Sequence, residues 1–271
     1  MNETIMRPGD VPILMGIINV TPDSFSDGGC FTDPAKAIEH GRRLVTEGAV
    51  ILDIGGESTR PGADPVSIEE EQARVIPVLE GLRESGAILS IDTRNAATMR
   101  AALKAGAGMV NDISALTHDP DSLRVVVDSD CLVCLMHMQG GPKTMQDAPR
   151  YKDVLKEIYD YLMGRIEACE KAGVDRSRLF VDPGIGFGKT QDHNITILKN
   201  IDYFRALDVP VLLGASRKRF IESLCPGAGP QDRLPGSLSA CTAAYAKGIR
   251  HFRVHDVVET AQALAVFRSV F

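Results

Sequence analysis

Short apolar runs rich in β-branched residues recur along the chain, separated by longer segments of mixed polarity. Eight of these runs qualify as strands. They cover residues 13–18, 50–54, 88–91, 109–113, 132–136, 179–181, 209–213 and 249–254. Their nearly continuous apolar character is typical of parallel strands covered on both faces, and unlike the alternation of a half-exposed antiparallel sheet. The pattern therefore predicts a repeated strand–helix unit.

The segments between the strands carry the start and stop signals of helices. Asp33 before Pro34 supplies an N-cap followed by a first-turn proline. Ser67 and Glu70 have the spacing of a capping box, and Asp256 is interpreted as a further N-cap. Glycines that tolerate positive φ precede five of the strands, where helix C-termini need such a residue. They are Gly48, Gly86, Gly106, Gly173 and Gly248.

Eight strand–helix units within 271 residues have the length and rhythm of a (β/α)8, or TIM, barrel. A doubly wound sheet is the alternative, but no composition break or linker divides the chain. We therefore predict an α/β protein with one barrel domain spanning residues 1–271. The longer connections at residues 21–32, 55–66 and 140–150 all follow strands, which places them on the functional rim of a barrel.

Composition narrows the range of partners. A hydrophobic fraction of 44% and a charged fraction of 24% are those of a globular protein with a sizeable core. The net charge of −6 gives no electrostatic footprint for nucleic acid. Apolar stretches such as residues 11–18 are too short to span a bilayer, and the first residues lack the apolar core of a signal peptide. We expect a cytoplasmic protein that binds neither nucleic acid nor membrane.

Two short motifs resemble known sites and fail on inspection. Cys131 and Cys134 form a C-x-x-C, but they lie within a predicted buried strand, where positions three apart point to opposite faces. Residues 188–190 read Gly-Lys-Thr, as at the end of a phosphate-binding loop. That loop requires a glycine where this chain has Pro183. We interpret the cysteines as core residues and reject a phosphate-loop NTPase.

Polar or ionisable residues follow almost every predicted strand. Taken singly, about a third to a half of such residues are explained as helix caps, but caps explain the complete ring poorly. The ring comprises Asn19, Asp53, Asp92, Asn111, Asp112, His137, Asp182, Ser216, Lys218, Arg253 and His255. Since the carboxyl ends of barrel strands carry the chemistry of this fold, the ring predicts a functional site.

The ring divides by charge into two sides. Cationic residues follow strands 7 and 8, the usual phosphate site of the fold, and an arginine there offers a planar fork to phosphate oxygens. We interpret Arg217 and Arg219 as the solvated start of a helix, with Lys218 between them facing the site. Asp92, Asn111 and Asp182 on the other side suit a ligand edge with adjacent N–H donors. Apolar faces for a flat ring come from Met136 and Phe187.

Seven stretches, in order and covering essentially the whole chain, together resemble the dihydropteroate synthase family of folate biosynthesis. They are G-I-I-N-V-T-P-D-S-F-S-D-G-G from Gly16, D-I-G-G-E-S-T-R-P-G from Asp53, S-I-D-T-R from Ser90, N-D-I from Asn111, D-P-G-I-G-F-G-K from Asp182, S-R-K from Ser216 and R-V-H-D from Arg253. The resemblance implies a transferase. In that reaction 4-aminobenzoate displaces pyrophosphate from 6-hydroxymethyl-7,8-dihydropterin diphosphate, giving 7,8-dihydropteroate.

The same resemblance implies a role for each site residue. The catalytic residues would be Asp92, Asp182, Lys218 and Arg253. The pterin would contact Asp92, Asn111, Met136, Asp182, Phe187 and Lys218. The diphosphate would contact Asn19, Arg253, Val254 and His255, with Asn19 also a ligand of Mg2+. The 4-aminobenzoate and its closing loops would involve Phe25, Thr59, Arg60, Pro61 and Ser216.

The family resemblance further implies a homodimer and a target of sulfonamides, which mimic 4-aminobenzoate. Two alternatives share much of this pattern. A pterin-binding methyltransferase barrel has less need of the cationic residues after strands 7 and 8. A pterin-binding paralogue without catalytic activity would retain the same motifs.

Overall fold

The computed structural model describes residues 5–21, 33–58, 62 and 64–271, and its centre is a barrel of eight parallel strands. The strands are β1 (Ile13–Asn19), β2 (Ile51–Gly55), β3 (Ile88–Asp92), β4 (Met109–Asp112), β5 (Leu132–Met136), β6 (Leu179–Asp182), β7 (Leu212–Leu213) and β8 (His251–Val254). Neighbours along the chain pair with each other, and β8 returns to pair with β1. Each strand overlaps its predicted run, so the predicted strand order is confirmed.

The barrel closes between β6 and β7 through a minimal contact. The only pairing between the described parts of these strands is the bridge from Val181 to Val211, where the Val181 N–H donates to the Pro210 carbonyl at 3.0 Å. Pro210 has no N–H to continue the ladder, which explains why β7 is shorter than predicted. The closure confirms a barrel over a doubly wound sheet.

Helices surround the strands. They are α1 (Pro34–Thr46), α2 (Ile68–Leu82), α3 (Ala96–Ala105), α4 (Ser122–Val127), α5 (Val154–Ala172), α6 (Gln191–Lys199), α7 (Arg219–Leu224), α8 (Leu234–Ala246) and α9 (Val257–Val270). Short 3-10 turns occupy Arg176–Arg178, Ile201–Leu207 and Pro230–Arg233. In the described part of the chain, no helix combines the length and apolar character needed to cross a membrane.

The predicted helix signals operate locally. The Asp33 carboxylate accepts the Ala35 N–H at 2.9 Å, and the Ser67 hydroxyl accepts the Glu70 N–H at 3.1 Å. The Glu70 carboxylate pairs with Arg74 on the next turn, so only half of the capping box forms. All five predicted glycines have φ between 83° and 111°. These values lie in the left-handed region of backbone conformation that commonly follows the C-terminus of an α-helix.

Two apolar layers separate the inside of the barrel from its outside. The outer layer lies between strands and helices, while a smaller inner cluster, including Met15, Ile51, Met109 and Phe180, fills the barrel. Because side chains alternate along a strand, the next inward positions after Ile51, Met109 and Phe180 are polar: Asp53, Asn111 and Asp182. The apolar cluster thus forms the floor of a polar chamber. The cysteine interpretation is confirmed, since Cys131 lies in the outer layer and Cys134 in the inner cluster.

Candidate active site

A cavity of about 720 Å³ opens at the carboxyl end of the barrel, the size of a pocket for a small organic ligand. The predicted connection at 140–150 contributes Met145 and Gln146 to its rim. Ten of the predicted site residues line it. They are Asn19, Asp92, Asn111, Met136, Asp182, Phe187, Ser216, Lys218, Arg253 and His255.

Of the remaining five predicted site residues, the structure describes one, Val254. Phe25, Thr59, Arg60 and Pro61 lie outside the described residues. The Val254 side chain belongs to the outer apolar layer and is 1% exposed, because it faces away from the barrel axis on β8. The side chain therefore does not reach the chamber, and a contact of the Val254 backbone with a diphosphate stays a prediction.

A charged network lies directly above the apolar floor of the chamber. The Arg253 guanidinium donates from Nε to Asp53 at 2.6 Å and from Nη2 to Asp92 at 2.8 Å. Asp53 is completely buried and also accepts from the Ser90 hydroxyl at 2.6 Å and the Asn111 amide at 3.0 Å. Asp53 thereby orients Arg253 and Asn111 together. Its position at a strand end was noted from sequence, but no local pattern indicated this role.

The network holds a permanent positive charge beside a titratable acid. Burial lowers the pKa of Arg253, but the Asp53 and Asp92 carboxylates raise it by more, so the guanidinium stays protonated. Burial raises the pKa of Asp92 to about 7, although the Arg253 charge opposes this rise. A carboxyl group with a pKa near neutrality is typical of functional sites.

Asp182 and Lys218 form one wall of the chamber. The Asp182 carboxylate accepts the Gly184 N–H at 2.7 Å, while burial raises its pKa against the opposing effect of Lys218. Lys218 donates to the Ile185 carbonyl, and its Nζ lies 4.6 Å from the centre of the Phe187 ring. An acid, a cation and an aromatic face thus meet, which suits a flat polar heterocycle.

Ser216 lies closer to the cationic side than expected. Its hydroxyl is 3.0 Å from His255 Nδ1 and accepts the His255 backbone N–H at 3.2 Å. The resemblance assigned Ser216 to the 4-aminobenzoate site and His255 to the diphosphate site. Their contact makes Ser216 a shared boundary between these two regions of the cavity.

The interpretation of Arg217 as a solvated helix residue is wrong. Its guanidinium donates two hydrogen bonds to the Asp256 carboxylate, from Nε at 3.0 Å and from Nη2 at 2.5 Å. Asp256 occupies the N-cap position of α9, but makes no side-chain capping bond because its carboxylate binds Arg217. Arg219, by contrast, is exposed at the start of α7 as predicted.

Lys189 is buried and has a structural role that its sequence pattern does not indicate. Lys189 is 3% exposed, and its Nζ lies 2.9 Å from the Phe187 carbonyl, 3.0 Å from His137 Nδ1 and 3.3 Å from the His137 carbonyl. Burial lowers the pKa of Lys189 well below its ordinary value and that of His137 to about 3. In the sequence, Lys189 belongs to the phosphate-loop near miss and to the family stretch from Asp182, and neither indicates this role. In the structure, the Lys189 side chain connects the loops after β5 and β6 by hydrogen bonds to both.

The chain matches the model of the pterin binding enzyme family over residues 15–255. The chain therefore belongs to this family. Among its relatives, the dihydropteroate synthase of Escherichia coli (strain K12) is 46% identical over 259 residues, covering 95% of this chain and 91% of the relative.

Solved structures agree with the sequence relatives. A Xanthomonas albilineans dihydropteroate synthase with 4-aminobenzoic acid superposes with a TM-score of 0.90 at 50% identity, covering 96% of this chain and 93% of that one. A structure of that species' enzyme in complex with 7,8-dihydropteroate gives a TM-score of 0.86 at 46% identity, covering 96% and 94%. The fold and the family thus agree over almost the whole chain.

Proposed function

We propose that this protein catalyses the dihydropteroate synthase reaction, in which 4-aminobenzoate displaces pyrophosphate from 6-hydroxymethyl-7,8-dihydropterin diphosphate. The observation that carries the proposal is that two charged pairs line the same cavity. One pair is Asp182 with Lys218, and the other is Arg253 with Asp92. The Xanthomonas albilineans relatives support the same reaction, because their structures hold one of its substrates, 4-aminobenzoic acid, and its product, 7,8-dihydropteroate.

The pterin is proposed to lie against the wall formed by Asp182, Lys218 and Phe187. The Asp182 carboxylate would accept the adjacent N–H donors of the amidine-like pterin edge, while Lys218 would donate to ring acceptors. Asn111, fixed by its bond to Asp53, would present a mixed donor and acceptor edge. Met136, 4% exposed, would supply an apolar contact for the ring.

The diphosphate is proposed to lie near Arg253, His255 and Asn19. Two nitrogens of Arg253 are committed to carboxylates, while Nη1 has no hydrogen-bond partner among the described residues. This leaves both Nη1 hydrogens and the second Nη2 hydrogen as donors for phosphate oxygens, at an orientation set by Asp53.

Magnesium is proposed as the cofactor. Within the described part of the chain, no group of three His, Cys, Asp or Glu side chains is arranged to hold a metal. Asn19, which lines the cavity, offers an amide oxygen, and that donor suits a hard cation which takes its other ligands from phosphate oxygens and water. Bound there, Mg2+ would neutralise charge on the leaving diphosphate.

The proposed reaction breaks the bond between the exocyclic methylene and the diphosphate oxygen, and the electron pair leaves with diphosphate. Positive charge on the methylene spreads into the pterin, where Asp92 and Asp182 favour it by fixed electrostatics. The neutral arylamine nitrogen forms the new bond and then loses a proton to water. Exclusion of competing water would fall to the loops carrying Phe25 and residues 59–61.

We also propose a homodimer in the cytoplasm, both implied by the family resemblance. The C-terminal helix α9 supports the dimer, because it exposes large apolar side chains that a partner surface would cover. These are Val258, Val266 and Val270, together with Phe271 after the helix.

Incubation of the purified protein with the pterin diphosphate, 4-aminobenzoate and Mg2+ tests the function. We expect 7,8-dihydropteroate and pyrophosphate in equal amounts, with loss of turnover when EDTA removes the cation. Chromatography with mass detection measures both products. Tight pterin binding without product would favour a non-catalytic pterin-binding protein.

Two aspartate variants provide the matched control. Asp182→Asn removes the buried acid of the pterin wall and should lower kcat/KM at least about 100-fold, since a charge placed for the transition state is lost. Asp175→Asn changes an exposed acid that caps the 3-10 turn before β6 and should leave turnover within about twofold, as surface substitutions do. Equal effects of both variants would contradict the assigned site.

A further inference from the structure

Arg217 has a backbone conformation that is unusual for a residue with a Cβ. Its φ is 56°, in the left-handed region, where crowding between Cβ and the backbone costs free energy. It lies between two residues whose side chains reach the chamber: Ser216, against His255, and Lys218, over Phe187. A strained residue between two site residues is a reason to ask what holds it and why.

The surrounding structure restrains Arg217 at three points. Its backbone N–H donates to the Ser237 hydroxyl at 2.8 Å, and its carbonyl accepts from Arg233 Nη1 at 3.1 Å. Its guanidinium forms a two-pronged pair with Asp256, and the two side chains are 18% and 12% exposed. Backbone and side chain are therefore both fixed.

The groups that restrain Arg217 are themselves held in place. Arg233 is 6% exposed and also binds the Ala228 carbonyl and the Glu222 carboxylate. The Ser237 hydroxyl donates to the Arg233 carbonyl at 2.9 Å, which leaves its oxygen oriented to accept from Arg217. The restraints thus come from α8 and the turn before it, and from the first residue before α9.

We propose that Arg217 is a positioning residue: its pair with Asp256 holds the left-handed turn after β7 that presents Ser216 to His255 and Lys218 to Asp182. Although Arg217 borders the cavity, its guanidinium is committed to Asp256 and acts on the reaction through its neighbours. The proposal deepens the proposed function, on which its kinetic test rests. The role of Arg217 thus depends on its left-handed backbone conformation and on its ion pair with the distant Asp256.

Removal of the guanidinium should disturb the pterin wall. Arg217→Ala is expected to lower kcat/KM for the pterin diphosphate by roughly 10- to 100-fold, because the buried pair that stabilises the strained turn is lost. KM for 4-aminobenzoate should change less than KM for the pterin. Arg217→Lys, which retains one charged bond to Asp256, should recover part of the loss.

Arg250→Ala is the matched control. Arg250 is 19% exposed and pairs with Asp10 at 3.1 Å, but it precedes β8 at the opposite end of the barrel. This variant should keep kcat/KM within about twofold of the unchanged protein, as a change remote from the site does. A thermal melt on each variant establishes that it is folded. If Arg217→Ala does not fold, Asp256→Asn removes the same ion pair and carries the test.

A direct measurement of Lys218 separates this inference from the proposed function. Labelling with acetic anhydride, followed by peptide mass spectrometry, reports how accessible the Lys218 amine is without any turnover. Labelling should be at least about fivefold faster in Arg217→Ala than in Arg250→Ala, since local opening exposes the amine. Absence of product from the unchanged protein would reject the function; unchanged labelling and kcat/KM in Arg217→Ala would reject the positioning role.

Discussion

Several groups of the site act in opposite directions on the pKa of Lys218. Burial lowers its pKa to about 8, Asp182 opposes that effect, and the nearby Arg253 adds to it. Asp92 contributes a weaker opposing field. Desolvation and a second cation thus outweigh the acid, leaving an ammonium that is charged below about pH 8 and neutral above it.

Catalysis should follow the Lys218 charge. If the ammonium donates to the pterin, kcat/KM for the pterin diphosphate will fall about tenfold per pH unit above about pH 8, as the proton is lost. In Lys218→Arg the alkaline fall should move above pH 10, because a guanidinium stays charged there. The measurement is a pH–rate profile for each protein. An unchanged alkaline limb in the variant would assign that limb to another group.

The same short segment shows where sequence reasoning succeeds and fails for single residues. The inward direction of Lys218 was predicted from its place between two arginines. The sequence does not indicate the buried position of Arg217, because its partner Asp256 lies 39 positions later. Its left-handed backbone conformation is also not marked by a glycine. A residue type alone does not reveal which distant group will neutralise it.

At the scale of elements, the loops after β5 and β6 behave as one unit. Lys189 in the second loop binds the His137 carbonyl and ring in the first, and the Phe187 carbonyl in its own. The loops approach so closely that a Cβ on Gly184 would lie 2.0 Å from the His137 carbonyl oxygen. Phe187 therefore has its place against the pterin wall set by a neighbouring strand's loop.

Lys189→Met should loosen this unit without unfolding the barrel. We expect KM for the pterin diphosphate to rise about tenfold, since Phe187 loses its anchor, with kcat changing less. The melting temperature should fall although the barrel stays folded, because His137 and the Phe187 carbonyl lose a buried hydrogen-bond donor. Steady-state kinetics and a thermal melt measure the two effects.

Lys143→Met is the control for the loop after β5. Lys143 pairs with Asp64 on the surface with its side chain 58% exposed, so its loss should change neither KM nor stability appreciably. A Phe187→Leu background provides a second check. If Lys189 acts through Phe187, its substitution should add little to the effect of Phe187→Leu; full additivity would contradict the proposed tie.

At the scale of the whole molecule, the barrel places an ion network directly above an apolar floor. Arg253 is the cation shared by Asp53 and Asp92, and Asp53 has no exposed surface. The site's preorganisation and the fold's stability therefore depend on the same guanidinium. Loss of this charge would leave a carboxylate buried without compensation.

Arg253→Met should lower the free energy of unfolding by about 3–5 kcal/mol, the cost of breaking a buried ion pair by removing one partner. Adding Asp53→Asn should recover part of the loss, because the buried group is then neutral. Urea titration measures both variants. Arg100→Met, which removes an arginine 53% exposed in a surface pair with Asp121, should cost no more than about 1 kcal/mol. A loss in Arg253→Met no larger than this would refute the shared-cation arrangement.

The sequence by itself determined the strand order, most of the predicted helix caps and the identity of most side chains on the rim, because apolar periodicity, capping residues and motifs act over a few positions. Tertiary structure alone decided how those side chains are paired. Arg253 meets Asp53 and Asp92 from 200 and 161 positions away, and Lys189 meets His137 from 52. Ion pairing and desolvation depend on distance in space, and barrel closure is what brings these strand ends together.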